Sequence, residues 1–271
     1  MQRVRLARRL IIILSLCLLF FGASSYVQQN LLAASGDGGR RSIERLRVAL
    51  EPQFPPFEFI GASGVPEGFD IDFLDALSKE LGFRVELQLL AFDDLLPAIQ
   101  SSNADASISA LSITDDRKKI VAFSRPYFKG GLTIAVREND IAINSLETLQ
   151  GKRVGVQKGS TGAEEAKQVT GSQIKEFDST PDALRELSEG RLDAAINDAA
   201  ALYYAIRTEG IENIKVIGDF ITEEFYGIAM PKDSPYVETI NSGIRTLMEN
   251  GKYAEIYRKY FNANPPLLPS A

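Results

Sequence analysis

The sequence predicts an α/β fold of two lobes, each with a mostly parallel sheet flanked by helices. Three observations support this prediction. Short apolar runs alternate with stretches of helical periodicity, this series occurs twice, and a flexible pair, Gly130-Gly131, separates the two series. Because each series needs its own sheet, we expect a cleft between two lobes. Ligands of open sheets bind at the carboxyl ends of the strands, so we expect the functional residues there.

The first series contains three predicted strands and two predicted helices. In chain order these elements are 46–50, 70–81, 85–89, 93–101 and 104–109. The longer helix ends before Gly82, which suits the left-handed position that follows a helix. Its predicted inner side consists of Ile71, Leu74, Leu77 and Leu81.

The second series follows the glycine pair and contains three predicted strands, which are 132–136, 153–156 and 192–197. The helix between the last two strands has sequence signals for both its start and its end. Thr180 is its predicted N-cap, Pro181 fits its first position, and Gly190 lies just past its end.

The N-terminus has the order of a secretory signal. Four arginines within residues 3–9 precede an uninterrupted apolar run, 10–23, and small and polar residues follow. The run of about 14 residues is shorter than the roughly 20 of a membrane-spanning helix, so we expect export to the periplasm. Residues 1–35 are assigned to the signal and the start of a linker, and the glycine-rich 36–44 to a flexible tether.

The processing of this signal stays open. Cleavage before Tyr26 and cleavage before Gly36 both fit the small residues that precede them. A lipid anchor on Cys17 is a minority interpretation, because Leu16 stands where a lipoprotein has a small residue. A protein tethered to the membrane is therefore the alternative to a released one.

The composition excludes several classes of function. Without residues 1–35 the chain has 26 basic and 36 acidic residues, a formal charge of −10, so we expect no nucleic-acid partner. The chain has no histidine, and its one cysteine lies in the signal. Disulfides, thiol nucleophiles and the commonest zinc ligands are thereby excluded, and we expect no metal and no cofactor. The exported chain of about 230 residues is long enough to bury a substantial core. We expect it to be a monomer.

Seven motifs recur in one order along about residues 45–262. They are VALEPQFPPFEF from Val48, GFDID from Gly68, SITDDRKK from Ser112, FSRPYF from Phe123, GVQKGST from Gly155, DAAIND from Asp193 and NGKY from Asn250. In this set and order they resemble the extracellular solute-binding proteins of family 3, the polar amino-acid-binding proteins of ABC importers. The resemblance implies a two-lobed, periplasmic-binding-protein-like fold of type II, a free L-amino acid as ligand, and a membrane permease as partner.

Two lobes of this kind are joined by chain crossings, for which the best candidates are 127–131 and 222–226. Lobe 1 is then predicted to consist of 45–128 together with 226–271, and lobe 2 of 129–225. The chain after the second crossing should return to lobe 1, where its last helices pack.

Arg117 and Asp198 are the predicted partners of a zwitterionic ligand. Arg117 lies three residues after Thr114, a predicted N-cap, so its guanidinium suits an α-carboxylate in a first helical turn. Its alternative role is a solvated member of the charge run 115–119. Asp198 ends a predicted strand, and the resemblance places the ammonium-binding acid there. Its alternative role is the N-cap of the next helix.

Hydroxyl and amide groups are predicted to surround these two residues. Ser160 and Thr161 lie between a strand and a helix and could close on the ligand carboxylate from lobe 2. Ser112 matches a hydroxyl position near Arg117 in similar proteins, whereas Ala110 offers only backbone groups.

The resemblance places the distal end of the pocket at Glu51, Phe54, Phe92 and Gln157. Phe54 and Phe92 match two aromatic positions that sandwich the ligand side chain, whereas Phe57 and Phe59 are expected in the core. Glu51 matches an acidic position that meets a polar distal group, and its alternative role is an ordinary surface acid.

Glutamine-binding relatives have a lysine where this chain has Gln157, so a cationic ligand is expected to balance Glu51. Arginine, lysine or histidine is favoured ahead of glutamine, unless Lys158 turns into the pocket.

Binding is expected to close the lobes, since only the closed form satisfies both ends of the ligand. The main alternative is a periplasmic dehydratase of prephenate or arogenate on the same fold. It is disfavoured because the binding set is complete and no histidine or cysteine is present for catalysis, so we expect no enzyme. A sensory input module is the third alternative, disfavoured because no signalling domain is expected in a chain ending at Ala271.

Overall fold

Residues 43–208 and 210–269 are described by a computed structural model of the chain. The predicted signal and the tether up to residue 42 lie outside the described residues. No helix within the described ranges is long and apolar enough to cross a membrane.

The described part of the chain contains fifteen strands and eight α-helices, together with short 3-10 turns and the connecting loops. The strands are β1 (Arg45–Leu50), β2 (Gln53–Phe54), β3 (Glu58–Ile60), β4 (Pro66–Glu67), β5 (Arg84–Leu89), β6 (Ala106–Ser107), β7 (Ala122–Phe123), β8 (Phe128–Gly130), β9 (Leu132–Arg137), β10 (Arg153–Gln157), β11 (Gln173–Phe177), β12 (Ala194–Asp198), β13 (Ile214–Ile217), β14 (Glu224–Tyr226) and β15 (Ala229–Met230). The helices are α1 (Phe69–Leu81), α2 (Leu95–Gln100), α3 (Asp115–Ile120), α4 (Thr161–Gln168), α5 (Thr180–Ser188), α6 (Ala199–Thr208), α7 (Val237–Glu249) and α8 (Lys252–Phe261).

Each lobe is built on a five-stranded sheet. The order is β5-β1-β6-β15-β7 in lobe 1 and β11-β10-β12-β9-β13 in lobe 2. The first three strands of each order run parallel, and the last two pair antiparallel with their neighbours. The predicted two-lobed α/β fold is therefore confirmed, with mixed sheets.

The antiparallel pairing has a topological reason. β9 and β15 are the strands by which the chain enters each lobe from a crossing, so they start at the end where the parallel strands finish. They must therefore run against those strands. The crossings themselves pair as an antiparallel ribbon of β8 and β14, with Phe128 opposite Tyr226 and Gly130 opposite Glu224. Both lobes and this ribbon belong to one compact unit of the chain.

The core of lobe 1 is rich in aromatic rings. Phe57, Phe69 and Phe128 contact one another in edge-to-face arrangements at its centre. Helices α7 and α8 pack against α1 and cover this cluster. The core of lobe 2 consists of smaller aliphatic side chains on both faces of its sheet.

Several local predictions need correction. Helix α5 starts one residue earlier than predicted, because Ser179 is the N-cap and accepts a hydrogen bond from the Asp182 amide at 3.4 Å. The hydroxyl of Thr180 instead accepts from the side-chain amide of Asn197. The strand predicted over 104–109 pairs only at Ala106–Ser107, since the chain then leaves the sheet.

Two apolar predictions were also wrong in detail. Phe59 is half-buried rather than part of the core, and its ring lies 6.2 Å from that of Tyr204 in lobe 2. The inner face of α1 is formed by Phe69, Phe73, Leu74 and Leu77, whereas Ile71 and Leu81 are only half-buried. The predicted end of α1 is correct, with Gly82 at φ 73°.

Candidate functional site

The carboxyl ends of the central strands bring Glu51 and Gln157 together across the cleft. Glu51 directly follows β1 and is 2% exposed, and Gln157 is the last residue of β10. The Gln157 Nε2 donates to Glu51 Oε2 at 3.2 Å and to the Asp178 carbonyl at 3.2 Å. Burial raises the pKa of the Glu51 carboxyl to about 7, and the Gln157 hydrogen bond acts in the opposite direction. Glu51 is therefore not a surface acid.

Arg117 sits in the first turn of α3, as predicted. The Thr114 hydroxyl caps this helix by accepting from the Arg117 amide at 3.2 Å. The Arg117 side chain is buried rather than solvated, and its Nη1 donates to the Ser112 carbonyl at 2.9 Å. Its Nη2 donates across the cleft to the Gly159 carbonyl at 3.0 Å. Burial lowers the pKa of the guanidinium, although arginine stays protonated in proteins.

Phe92 lies beside this guanidinium. The Arg117 Cζ is 5.7 Å from the centre of the Phe92 ring, within the range of a cation–π contact. Phe54, in contrast, is buried in the core of lobe 1, and its ring stacks on Phe57 at 5.8 Å. The predicted sandwich of a ligand between Phe54 and Phe92 stays a prediction.

The N-terminus of α4 supplies the lobe 2 side of the site. Ser160 is its N-cap, since its hydroxyl accepts from the Ala163 amide at 3.1 Å and donates to the Gln157 carbonyl at 2.7 Å. Thr161 is the first helical residue and is buried. The partial positive charge of this helix end therefore lies near the Gly159 carbonyl that Arg117 contacts.

Asp198 is the last residue of β12 and is 8% exposed. Its carboxylate accepts a hydrogen bond from the Tyr226 hydroxyl of the hinge ribbon. Burial raises the pKa of Asp198 well above its usual range, the nearby Glu224 adds to this effect, and Arg117 opposes it. The carboxylate thus faces the ribbon, in the direction of the cleft.

Glu224 is a site residue that sequence reasoning missed. It lies on β14, is 8% exposed, and accepts from the Ser112 hydroxyl of lobe 1. The same oxygen accepts from the Thr161 hydroxyl of lobe 2 at 3.1 Å, and the other oxygen accepts from Thr222 at 3.1 Å. The alternation of Glu224 and Tyr226 in a predicted crossing was the available signal, because residues two apart share one face of a strand.

Two further predicted residues lie at the margins of this cluster. Ala110 has a left-handed backbone with φ 44°, and its amide donates to Asp70 Oδ2 at 2.8 Å. Lys158 does not face Glu51. Its Nζ pairs with Asp93 at 2.6 Å across the cleft, and its side chain is 54% exposed.

The cluster contains more carboxyl groups than cations. Arg117 is its one buried cation among the described residues named above, whereas Glu51, Asp198 and Glu224 are buried carboxyl groups. Within the described ranges no group of three or more acidic, histidine or cysteine residues could hold a metal ion. The arrangement can therefore bind a ligand that brings one carboxylate and more than one positive charge.

Comparisons with known proteins identify the family of the chain. Residues 46–263 match the model of the bacterial extracellular solute-binding proteins, family 3. The chain is 34% identical over 221 residues to a probable histidine-binding protein of Neisseria gonorrhoeae, which covers 79% of this chain and 82% of that protein. It is 32% identical over 227 residues to the L-arginine-binding protein of Pseudomonas aeruginosa, with 80% and 88% covered.

Solved structures give the same result. An ancestral arginine-binding protein bound to arginine superposes with a TM-score of 0.77 at 41% identity, covering 82% of this chain and all of that one. The arginine-, lysine-, histidine-binding protein ArtJ of Geobacillus stearothermophilus has a TM-score of 0.78 at 36% identity, with 83% and 98% covered. The family predicted from the sequence is thus confirmed, and the chain belongs to the bacterial extracellular solute-binding proteins of family 3.

Proposed function

We propose that this protein binds one basic L-amino acid, with arginine preferred, and delivers it to the membrane permease of an ABC importer. The observation that carries the proposal is the make-up of the cleft, in which one buried cation, Arg117, is outnumbered by the buried carboxyl groups of Glu51, Asp198 and Glu224. Burial keeps such groups protonated until a cation pairs with them, and a zwitterion without a charged side chain brings only one ammonium. A ligand with an additional side-chain cation pairs with a second carboxylate.

Each end of the ligand has a proposed subsite. Arg117 and the N-terminus of α4 bind the α-carboxylate, and Asp198 accepts from the α-ammonium. Glu51 and Gln157 receive the distal guanidinium or ammonium, with Phe92 and Phe54 beside the side chain. The 3.2 Å hydrogen bond between Gln157 and Glu51 supports this assignment, because it places the Glu51 carboxyl between the two lobes, where a ligand in the cleft can reach it.

The hydroxyls of Ser112 and Thr161 have a different proposed role from the one expected from sequence. Each has a single hydrogen, and both donate it to Glu224. While they do so, their oxygens can only accept further hydrogen bonds. We therefore assign these hydroxyls to the ligand ammonium rather than to its carboxylate, beside Asp198.

Lobe closure is the proposed response to binding. Arg117 belongs to lobe 1 and Asp198 to lobe 2, so a ligand that contacts both favours the closed form. The closed monomer, exported to the periplasm, is the form that the permease is proposed to recognise. The names of similar proteins support this class of ligand, since arginine and histidine recur among them. Glutamine is the nearest competitor, because a related ancestral protein has also been solved with glutamine.

We propose binding without turnover. A prephenate-like ligand has no ammonium group and would leave Asp198 unpaired in a buried site, which costs free energy. The described residues provide no histidine or cysteine for proton transfer or nucleophilic attack.

Isothermal titration of the exported chain with arginine, glutamine and citrulline tests the proposal. Citrulline has the shape of arginine without its charge, so it isolates the contribution of Glu51. We expect arginine to bind at least about tenfold more tightly than citrulline. At pH 7 arginine should also release about half a proton more than citrulline does, because its guanidinium lowers the pKa of Glu51 from about 7, whereas both ligands act alike on Asp198. Titrations in two buffers of different ionisation enthalpy measure this release.

The control is Glu51→Gln, which removes the charge and keeps the volume. In this variant arginine should lose its advantage over citrulline and release no proton from residue 51. Equal affinity of the wild type for arginine and citrulline would contradict the distal subsite, and no binding of any amino acid would contradict the proposed function.

A further inference from the structure

Two carboxyl groups are fully buried beneath the cleft wall of lobe 1. Glu58 on β3 and Asp70 in the first turn of α1 are both 0% exposed. Within residues 43–208 and 210–269 neither forms an ion pair with lysine or arginine. Two adjacent carboxylates in a dry core repel each other strongly, so they cannot both be ionised.

The hydrogen bonds favour Asp70 as the anion of the pair, because its carboxylate accepts two hydrogen bonds and that of Glu58 accepts one. Asp70 Oδ2 accepts from the Ala110 amide at 2.8 Å and from the Tyr127 hydroxyl at 2.8 Å. Glu58 Oε1 accepts from the Ser109 hydroxyl at 2.6 Å. The remaining oxygens, Glu58 Oε2 and Asp70 Oδ1, have no other partner. The two side chains lie within hydrogen-bonding reach of each other, so a proton on Glu58 satisfies both oxygens.

We propose that Glu58 and Asp70 share one proton and that this pair positions the wall of the ligand cleft. The location of Asp70 supports its role as the anion, because the first turn of a helix favours negative charge. The positioning part of the proposal rests on the proposed function, whereas the shared proton does not.

The pair reaches the cleft through two connections. The Ser109 hydroxyl accepts from the amide of Glu51 at 3.0 Å, so Glu58 fixes the end of β1 where the distal subsite lies. Asp70 holds the amide of Ala110, whose φ of 44° is unfavourable for a residue with a Cβ. Tyr127, the third partner, immediately precedes the hinge strand β8. One buried pair therefore ties together two cleft segments and a crossing.

The titration of the pair agrees with this geometry. Burial raises the pKa of Glu58 well above its usual range, with the Asp70 charge as the second cause, and burial raises the pKa of Asp70 to about 6. The other ionisable groups that face the pair are Glu51, Tyr127 and Tyr253, none of them a cation. In the folded protein Glu58 thus keeps a proton that an unfolded glutamate loses above a pH of about 4.3.

The sign of the pH effect follows from this difference. Between the unfolded and folded pKa of Glu58 the folded state binds the extra proton, so stability falls as pH rises. One whole proton changes the unfolding equilibrium constant about tenfold per pH unit.

Two matched amide variants test the proposal. In Glu58→Gln the amide oxygen accepts from Ser109 and the NH₂ donates to Asp70, which reproduces the protonated glutamate. We expect its affinity for arginine at pH 7 to stay within about twofold of the wild type. In Asp70→Asn the amide oxygen can still accept from Ala110 and Tyr127, but its NH₂ meets the protonated oxygen of Glu58. Glu58 must then lose its proton and carry the buried charge away from the α1 N-terminus, so we expect a loss of about tenfold in affinity.

The pH profiles separate positioning from general damage. We expect the ratio of unfolding constants, wild type to Glu58→Gln, to rise about tenfold per pH unit above pH 5, measured without ligand. We also expect the wild type to lose arginine affinity at high pH relative to Glu58→Gln, because a doubly ionised pair disturbs the wall. Equal damage by both amides, or parallel pH profiles of the wild type and Glu58→Gln, would overturn the shared proton. Absence of amino-acid binding with the stability difference intact would instead overturn the proposed function and the positioning role together.

Discussion

Glu51 and Glu58 are seven residues apart in lobe 1, and both are buried, but they lie in opposite electrostatic settings. Glu58 belongs to a closed set of donors and acceptors that one proton completes. Glu51 accepts from the Gln157 side-chain amide of the other lobe and from the Gln53 backbone amide. Its pKa is about 7, so it is divided between charged and neutral forms near neutral pH. Burial alone therefore does not separate the two carboxyl groups. The difference is in their partners, because those of Glu58 lie within lobe 1, whereas Gln157 reaches Glu51 from lobe 2.

The largest loss of arginine binding is expected from a change at Arg117. In Arg117→Ala the site loses its buried cation and keeps its carboxyl groups, so the N-terminus of α4 alone still attracts the α-carboxylate. We expect a loss of about 2–5 kcal/mol in arginine binding, measured by calorimetry. Arg117→Lys is the control, because it keeps the charge and loses the forked geometry. Wild-type affinity in a folded Arg117→Ala variant would remove this residue from the site.

Asp198→Asn should have the next largest effect. The amide keeps the side-chain volume but no longer neutralises the α-ammonium, and a loss of about 2–4 kcal/mol is expected from titration with arginine. Because burial raises the pKa of Asp198, its charge is costly without a ligand. The variant should therefore unfold at the same or a higher temperature than the wild type when no ligand is added. A large drop in that temperature would mean that Asp198 is mainly structural.

Glu224→Gln is expected to weaken arginine binding, whereas Glu58→Gln is expected to leave it nearly unchanged. Glutamine at position 224 can still accept from Ser112 and Thr161, so this change removes charge and keeps the hydrogen bonds. We expect about 1–2 kcal/mol of weakening for arginine and less for glutamine, measured in a competition titration. Ser112→Ala is the control for the hydroxyl contact. Equal weakening for both ligands would indicate that Glu224 acts through geometry and not through charge.

The smallest effect is expected at Lys158. Its ion pair with Asp93 crosses the cleft at 2.6 Å, but the lysine side chain is half exposed. Such pairs contribute about 0–1 kcal/mol and are screened by salt. Lys158→Gln should therefore weaken arginine binding by less than about threefold at low salt and not measurably at 1 M salt. A change in preference from arginine to glutamine would show that Lys158 does contribute to the distal subsite.

The sequence predicted those parts of the site that depend on local order. Thr114 caps the helix that carries Arg117, and Ser160 precedes a helix at the end of a strand, so both positions follow from patterns within a few residues. The family resemblance added Glu51 and Gln157, which only the fold brings together.

The contacts that sequence reasoning missed join distant parts of the chain. Ser112 and Glu224 are 112 residues apart, and no local pattern pairs them. Asp70 was expected merely to begin a helix, because a carboxylate there normally faces solvent. Its complete burial depends on Ala110 and Tyr127, which come from other segments. Side-chain hydrogen bonds across a fold are decided by tertiary packing, which periodicity does not report.

The hinge ribbon of β8 and β14 joins the lobes through only three paired residues on each strand. Tyr226 on this ribbon contacts Asp198 in lobe 2 and pairs with Ser112 in lobe 1. The connection between the lobes is therefore also part of the candidate site, because a twist of the ribbon displaces groups that line the cleft. If the proposed function holds, opening the lobes also takes the ammonium subsite apart, so release of the ligand is coupled to the shape that the permease is proposed to recognise.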